Sequence, residues 1–385
     1  MHRSSDRILT THAGSLPRPA DLLAMIRAKT RGETVDETKL AGRIKEAVNE
    51  IVQKQVATGL DVIDDGEFGK PSFVTYVRDR LGGLEPHGMR PNAWLSSREA
   101  ISFPDYYKEQ ESASPRTRQV QMACTSPLTY QGQAALKAEL DTLKSALRGV
   151  NPTDVFVPCI SPANIEDWNE NRYYPTNDDY LTAIADAMNV EYRTIDDAGF
   201  LVQVDDPRLV SYYLMDPKMS VEDIRAWANK RVDALNHALR GIPTEKIRYH
   251  TCYSINFGPR VHDLEVKHII DILMRIRAGA FSFEASNPRH EHEWEVWKET
   301  KLPQDTILIP GVITNSSVLV EHPELVAQRL IRFADFVGRE NVIAGTDCGF
   351  ASFAGSDEVH ASIVWAKMEA MVKGAEIASN KLWGR

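Results

Sequence analysis

Only four of the 385 residues are cysteine, and Cys124, Cys159, Cys252 and Cys348 are scattered along the chain. So few cannot staple a protein of this size, which leaves them as thiols or metal ligands in a reducing compartment. No stretch approaches the roughly 18 uninterrupted apolar residues of a membrane helix. The opening residues Met1-His2-Arg3-Ser4-Ser5-Asp6 hold no apolar signal core, so a cytoplasmic protein is expected. Positive charge is in deficit too. A formal net charge of −9 argues against a nucleic-acid surface, which needs a basic stripe. There is no internal repeat of 20–50 residues beyond strand–helix alternation. No G-x-G-x-x-G turn follows the first strand, which weighs against a dinucleotide-binding open sheet.

What the chain does contain is an ordinary globular balance, 43% apolar and 26% charged residues, arranged in a regular rhythm. Ile8 to Ser15 reads as a short strand entering a Gly-Ser turn, broken by Leu16-Pro17-Arg18-Pro19. That turn is either a plain N-terminal loop or a backbone-rich pocket rim. From Asp36 to Thr58, Leu40, Ile44, Val48, Ile51, Val52 and Val56 recur at helical spacing. Strand starts at Ile8, Leu60, Val155, Leu201, Lys246, Ala280, Thr306 and Val342 number eight, and most are followed by helices. Helices are expected at Ala134–Leu147, Asp178–Asp197, Ser220–Arg240, Leu264–Ala278, Pro323–Gly338 and Glu358–Ser379. The strands are largely apolar, as parallel strands buried on both faces are. The expected fold is a single α/β domain over residues 1–385, a (β/α)8 TIM barrel with an insertion after the second strand, at about 70–130. Within the insertion, Gln119 to Cys124 alternates like an edge strand.

In such a barrel the chemistry belongs at the C-terminal ends of the strands. His250 and Cys252 lie two residues apart at the end of the fifth, so on a strand they point the same way. An imidazole and a thiol on one face are zinc's preferred ligand types, and equally an ordinary core histidine beside a buried cysteine. Glu284 ends the sixth strand and Cys348 the eighth. Each has a plainer reading, as a loop acid and a small buried residue; as ligands they would complete a shell of two sulfurs, one nitrogen and one carboxylate. His290, His292 and Glu293 are a denser alternative set in a polar loop.

Taken together, Thr11-His12-Ala13-Gly14-Ser15-Leu16-Pro17, Asp65-Gly66-Glu67, Val204-Asp205-Asp206-Pro207, His250-Thr251-Cys252-Tyr253-Ser254, Phe283-Glu284 and Thr346-Asp347-Cys348-Gly349 resemble the catalytic domain of cobalamin-independent methionine synthase. The resemblance runs in order along most of the chain, and the superfamily also includes epoxyalkane:coenzyme M transferase. It implies Zn2+ bound by His250, Cys252, Glu284 and Cys348. It implies that the Gly14-Ser15 backbone, Glu67 and Asp205 hold the amino-acid part of homocysteine. Trp168 lies where the family stacks its folate, although the family's Gly-Pro is Ser161-Pro162 here.

One departure bears on the reaction. After the seventh strand the family carries an Asp-x-His whose histidine protonates the departing folate nitrogen; this chain reads Thr314-Asn315-Ser316-Ser317. His322, six residues past Ser316, is expected to cap a helix or face solvent. The resemblance implies a zinc-dependent transferase, with a small-molecule thiol and a methyl or alkyl donor as its partners. Glu67 and Asp205 favour a homocysteine-like thiol. The alternative is an epoxide- or other alkyl-donor:thiol transferase of the coenzyme M kind, with Arg18, Arg208 and Arg260 as candidates for a sulfonate. A zinc hydrolase is a more remote alternative, because thiolate-rich ligation makes the metal a poorer Lewis acid.

Overall fold

The computed structural model describes residues 1–90, 92–113, 120–253, 258–354 and 359–384, with the side chains of 111–113 left aside. Its strands, in chain order, are β1 (Leu9–Thr10), β2 (Val62–Ile63), β3 (Leu81–Met89), β4 (Val120–Tyr130), β5 (Asp154–Ile160), β6 (Asn169–Asn171), β7 (Leu201–Asp205), β8 (Ile247–Thr251), β9 (Ala280–Phe283), β10 (Ile307–Ile313) and β11 (Ile343–Thr346). Eight of them form one parallel sheet in the order β1-β11-β10-β9-β8-β7-β5-β2. The two ends of that sheet meet: Asp61 N donates to Thr10 O at 3.1 Å and Thr11 Oγ1 to Val62 O at 2.9 Å. The sheet is a nearly closed TIM barrel, with every strand starting within two residues of its expected position.

Alternation along the strands sorts the side chains into an outer and an inner set. Val202, Val204, Ile247, Tyr249, Phe281 and Phe283 pack outward into the large core shared with the helices. The inward set is layered. Its N-terminal layer is apolar: Leu9, Ala280, Ile307, Ile309 and Ile343 form one cluster, Val62, Phe156 and Leu201 another, and Met1 packs against both. Above it Arg248 is fully buried, donating to Thr11 Oγ1 at 2.8 Å and to the His12 carbonyl, with its guanidinium 4.0 Å over the Phe156 ring. Gln203 beside it donates to the Ala13 carbonyl at 2.7 Å. The next inward layer holds Asp205, His250 and Ser282, which are successive register partners on β7, β8 and β9.

The surrounding helices follow local signals. Asp36 caps the helix Glu37–Thr58 by accepting from Lys39 N at 3.0 Å, and its buried face carries Leu40, Val48, Ile51 and Val52. Ser220 and Asp223 form a reciprocal capping box at the start of Val221–Ala238. The helices Gln133–Ala146, Asn177–Asp197 and Pro323–Val337 stand where periodicity put them. The closing helix is Ala361–Trp383; its expected start, Glu358, lies outside the described residues. None of the described helices is long and apolar enough to cross a membrane.

Two expectations fail and one element is new. Gln119 lies outside the described residues, and Val120 to Cys124 is not an edge: β4 is the middle strand of a second sheet, β3-β4-β6, because the three-residue β6 pairs with it in parallel. The stretch Leu264–Ala278 is not one helix but a 3-10 turn, Val266–His268, and a single helical turn, Ile270–Leu273. Its first turn is pinned from outside, with Leu264 O accepting from Tyr253 Oη at 2.6 Å and Val266 N donating to Glu293 Oε1 at 2.7 Å. The helix Ala20–Thr30 was not foreseen; only Leu22 and Ile26 of it are buried.

Candidate metal centre and substrate cavity

His250 is the last inward residue of β8, and its ring lies 3.0 Å, Nδ1 to Oγ, from Ser282. With Nδ1–H donated to that hydroxyl, Nε2 presents a lone pair. Nε2 is completely buried and has no hydrogen-bond partner. Burial first, and then the Arg248 charge below, press this imidazole down from 6.5 to about 3, so it stays neutral at physiological pH. Cys252 follows β8 and Cys348 follows β11, both buried, and their sulfurs are 3.1 Å apart. The three ligand atoms all lie within 4.8 Å of one another, a buried group that could hold a metal ion.

The donor chemistry fits such an ion. An orphaned imidazole nitrogen in the protein interior is costly, and contact with Cys252, then burial, hold the Cys348 thiol well above its ordinary range. A divalent cation would reverse both penalties at once. Tetrahedral bonds of about 2.3 Å set two sulfurs about 3.8 Å apart, so the pair need open by less than an ångström.

Glu284 stands at the end of β9, where expected, but outside that group of three. Its Oε1 accepts from Tyr253 N at 2.8 Å, and its Oε2 from Arg260 at 2.8 Å and Asn287 at 2.7 Å. These donors orient the carboxylate while leaving it lone pairs. Its charge also helps to raise the Cys348 thiol, so it is near the sulfurs. The rival ligand His290 is otherwise engaged: Nδ1 lies 2.8 Å from Glu293 and Nε2 3.0 Å from Asp263. Burial lowers this histidine, yet those two hydrogen bonds prevail and carry it up to about 9, as an imidazolium with no free nitrogen.

Ser15, Glu67 and Asp205 line one cavity with His250, Cys252 and Cys348. Gly14 shapes its wall from behind. Its φ is +129°, and a Cβ there would meet Pro158 Cγ at 2.9 Å and Glu67 Oε1 at 3.2 Å, so only glycine fits. Its N–H donates to His12 Nδ1 at 3.1 Å, and His12 Nε2 lies 2.7 Å from Gln55 Oε1. Burial holds His12 down near 3, which keeps Nδ1 available as an acceptor. Gly349 is equally constrained, since a Cβ there would collide with Ser15 Oγ. Asp205 accepts from Gln203 at 2.7 Å; burial and then the charge of Glu67 raise it well above the usual carboxylate range.

Trp168 does not line the cavity but connects with it. Its ring is 6.2 Å from Phe353, which meets Phe73 edge-on at 5.7 Å, and Phe73 is in the lining. Arg90 covers the Trp168 ring at 4.4 Å. The three arginines considered for a sulfonate all serve internal partners. Arg18 donates to the carbonyls of Ala351, Glu67 and Lys70, Arg208 pairs with Asp167, and Arg260 with Asp263 and Glu284. In the loop after β10, Glu321 accepts from Thr314 N and pairs with the buried Lys367 at 2.9 Å. His322 caps its helix by accepting from Glu324 N at 3.2 Å.

Sequence reading missed Phe73 and Ser352 in the lining and Ser282 and Asn287 behind the ligands, and it considered Arg260 for a sulfonate where the structure sets it on Glu284. Inward alternation on β9 would have found Ser282; the others sit on irregular loops with no periodic signal.

A family model described as the catalytic domain of cobalamin-independent synthases matches residues 8–147 and 159–376. A curated protein named methionine synthase from Thermococcus kodakarensis is 23% identical to this chain, over 97% of it and 94% of the relative. One of the same name from Sulfurisphaera tokodaii is 25% identical, over 97% and 93%. Among solved structures, a B12-independent methionine synthase from Shewanella sp. W3-18-1, in complex with selenomethionine, superposes with a TM-score of 0.73. It is 18% identical and covers 98% of this chain and 100% of that one, a likeness of fold.

Proposed function

The chain belongs to the family of cobalamin-independent synthase catalytic domains, and from that premise we propose that it is a zinc-dependent transferase. In this reading it activates a homocysteine-like thiol for attack on a methyl or alkyl donor, as the name methionine synthase of its curated relatives suggests. The observation that carries the proposal is the sharing of one cavity by His250, Cys252 and Cys348 with Glu67 and Asp205.

His250, Cys252 and Cys348 would hold the metal, with Glu284 as fourth and most displaceable ligand. Zinc there would deprotonate a thiol and leave it strongly nucleophilic, because the cysteinates neutralise the metal's charge. Everything else falls to the chain. Ser282 fixes the His250 tautomer. Glu67 and Asp205 receive the ammonium of the amino-acid thiol, and the Gly14-Ser15 turn, braced by His12, closes on its carboxylate end. The row Trp168, Phe353 and Phe73 gives the donor an apolar approach. The loop after β10 commits Glu321 and His322 elsewhere, so the donor is one whose leaving group departs without a proton from that loop. Holding thiol and donor in line supplies much of the acceleration.

Zinc-edge X-ray absorption on the metal-loaded protein tests this reading without knowledge of the donor. Saturation with homocysteine should add one sulfur to the coordination shell. A shell that stays the same at saturating homocysteine would count against thiol activation.

A further inference from the structure

A buried cation stands directly behind one of the acids of the cavity, and the reaction as described has no use for it. Lys70 is 3% exposed, and its Nζ donates to the Pro158 carbonyl at 2.6 Å. The same atom lies 3.6 Å from Glu67 Oε2 and 3.8 Å from Glu139 Oε1, and 4.7 Å over the Tyr76 ring. Burial opposes its charge, but Glu139 and Glu67 outweigh burial and raise the amine above its ordinary value.

The Glu67 backbone is clamped independently. It adopts φ +58°, a left-handed conformation that a residue with a side chain keeps only under constraint. Its N–H donates to Asp65 Oδ1 at 2.9 Å, and its carbonyl accepts from Arg18 at 2.7 Å and from Lys70 N at 3.1 Å. At the other end of the side chain, Oε2 is buried with no hydrogen-bond partner, since 3.6 Å to Lys70 is an ion pair and not a hydrogen bond. A carboxylate in the lining of a cavity is thus fixed at its backbone, held by charge at its tip, and left with an unfilled acceptor.

We propose that Lys70 is a positioning residue that holds the Glu67 carboxylate in place to receive the ammonium of an α-amino thiol, so that the cavity selects amino-acid thiols over thiols lacking the amino group. This rests on the amino-acid reading of the cavity given above. Lys70 touches no reactant. It supplies a counter-charge strong enough to stop Glu67 swinging away from Asp205, but too far to satisfy Oε2, which therefore remains for the ligand. Any methylene chain of similar length would fill the space and lose that effect.

Calorimetric titration of the zinc-loaded chain with homocysteine and with 4-mercaptobutanoate, its analogue without the amino group, provides the test. Lys70→Met should weaken homocysteine about tenfold or more and leave 4-mercaptobutanoate within about twofold. Lys70→Arg, which keeps the charge, should recover most of the loss. Equal losses for the two thiols, or unaltered homocysteine binding in Lys70→Met at full zinc content, would overturn the role of Lys70. A wild-type protein that binds both thiols equally would overturn the amino-acid reading of the cavity, and the role of Lys70 with it.

Discussion

Replacing Cys348 with alanine is expected to strip the protein of zinc and of thiol alkylation while leaving the barrel folded. The candidate ligand group is His250 on β8, Cys252 just after it and Cys348 just after β11, so Cys348 alone comes from the far strand. Loss of an outer partner of a metal ligand typically costs 10–100-fold in affinity; loss of a ligand itself should exceed that. The fold has little to lose, since cysteine to alanine removes one buried sulfur and costs roughly 1 kcal/mol. Cys252→Ala should behave the same way. Two internal controls are available, because Cys124 in β4 and Cys159 in β5 are buried thiols away from the cavity lining. Cys124→Ala and Cys159→Ala should keep both zinc and activity. Metal content by mass spectrometry, with thermal unfolding alongside, decides the matter. A Cys348→Ala protein with stoichiometric zinc and full activity would sink the metal-centre reading.

The second large effect concerns stability. Arg80 carries a buried guanidinium that pairs with Glu139, lies 3.1 Å from Glu191 Oε2 and sits 4.7 Å over the Tyr76 ring. Glu191 in turn accepts from Tyr76 at 2.7 Å and from Tyr130 at 2.8 Å. This network joins the segment around β3 and β4 to two barrel helices, Gln133–Ala146 and Asn177–Asp197. Arg80→Met would strip buried Glu191 of its ion pair and leave Glu139 with Lys70 at 3.8 Å. Breaking such a pair by removing one partner costs about 3–5 kcal/mol. Chemical denaturation should register that loss, and the double variant Arg80→Met/Glu139→Gln should recover part of it by removing one stranded charge. A loss under about 1 kcal/mol would show that the network contributes little.

The features behind these two effects differ sharply in how far the sequence displays them. The barrel was readable because eight apolar strands recur between amphipathic helices; two-residue spacing put His250 and Cys252 on one face, whereas Asp205 was legible only through the family resemblance. Strand ends converge in any such barrel, so Cys348 could be grouped with His250 across almost a hundred residues. The second sheet was not readable. Its third member, Asn169-Glu170-Asn171, has no apolar residue to signal a strand, and it exists only because β4 offers it a free backbone. Buried cations hid for a related reason: Lys70, Arg80 and Arg248 look like solvated residues until the acids and carbonyls that surround them are placed. Arg260 is similar, a left-handed residue at φ +58° that holds both Asp263 and Glu284. No periodicity announces that. Glu284 itself could be put at the right strand end, while its hydrogen-bond partners could not.

The apolar layer at the N-terminal ends of the strands has a consequence for kinetics. Leu9, Ile307, Ile309 and Ile343 on one side and Val62, Phe156 and Leu201 on the other plug the barrel, and Arg248 and Gln203 seal it above them. Among the described residues the cavity is therefore closed at its N-terminal floor, which leaves two reactants and two products to share the opposite mouth. In the proposed reaction the thiol occupies the deep end and the donor approaches along the aromatic row. The thiol must then enter first, and its alkylated form must wait for the spent donor to clear the doorway. Product-inhibition kinetics should show the S-alkyl product competing with the thiol but not with the donor; competition with both would mean a second way in. A residue set that packs a barrel floor thereby imposes a queue on the chemistry above it.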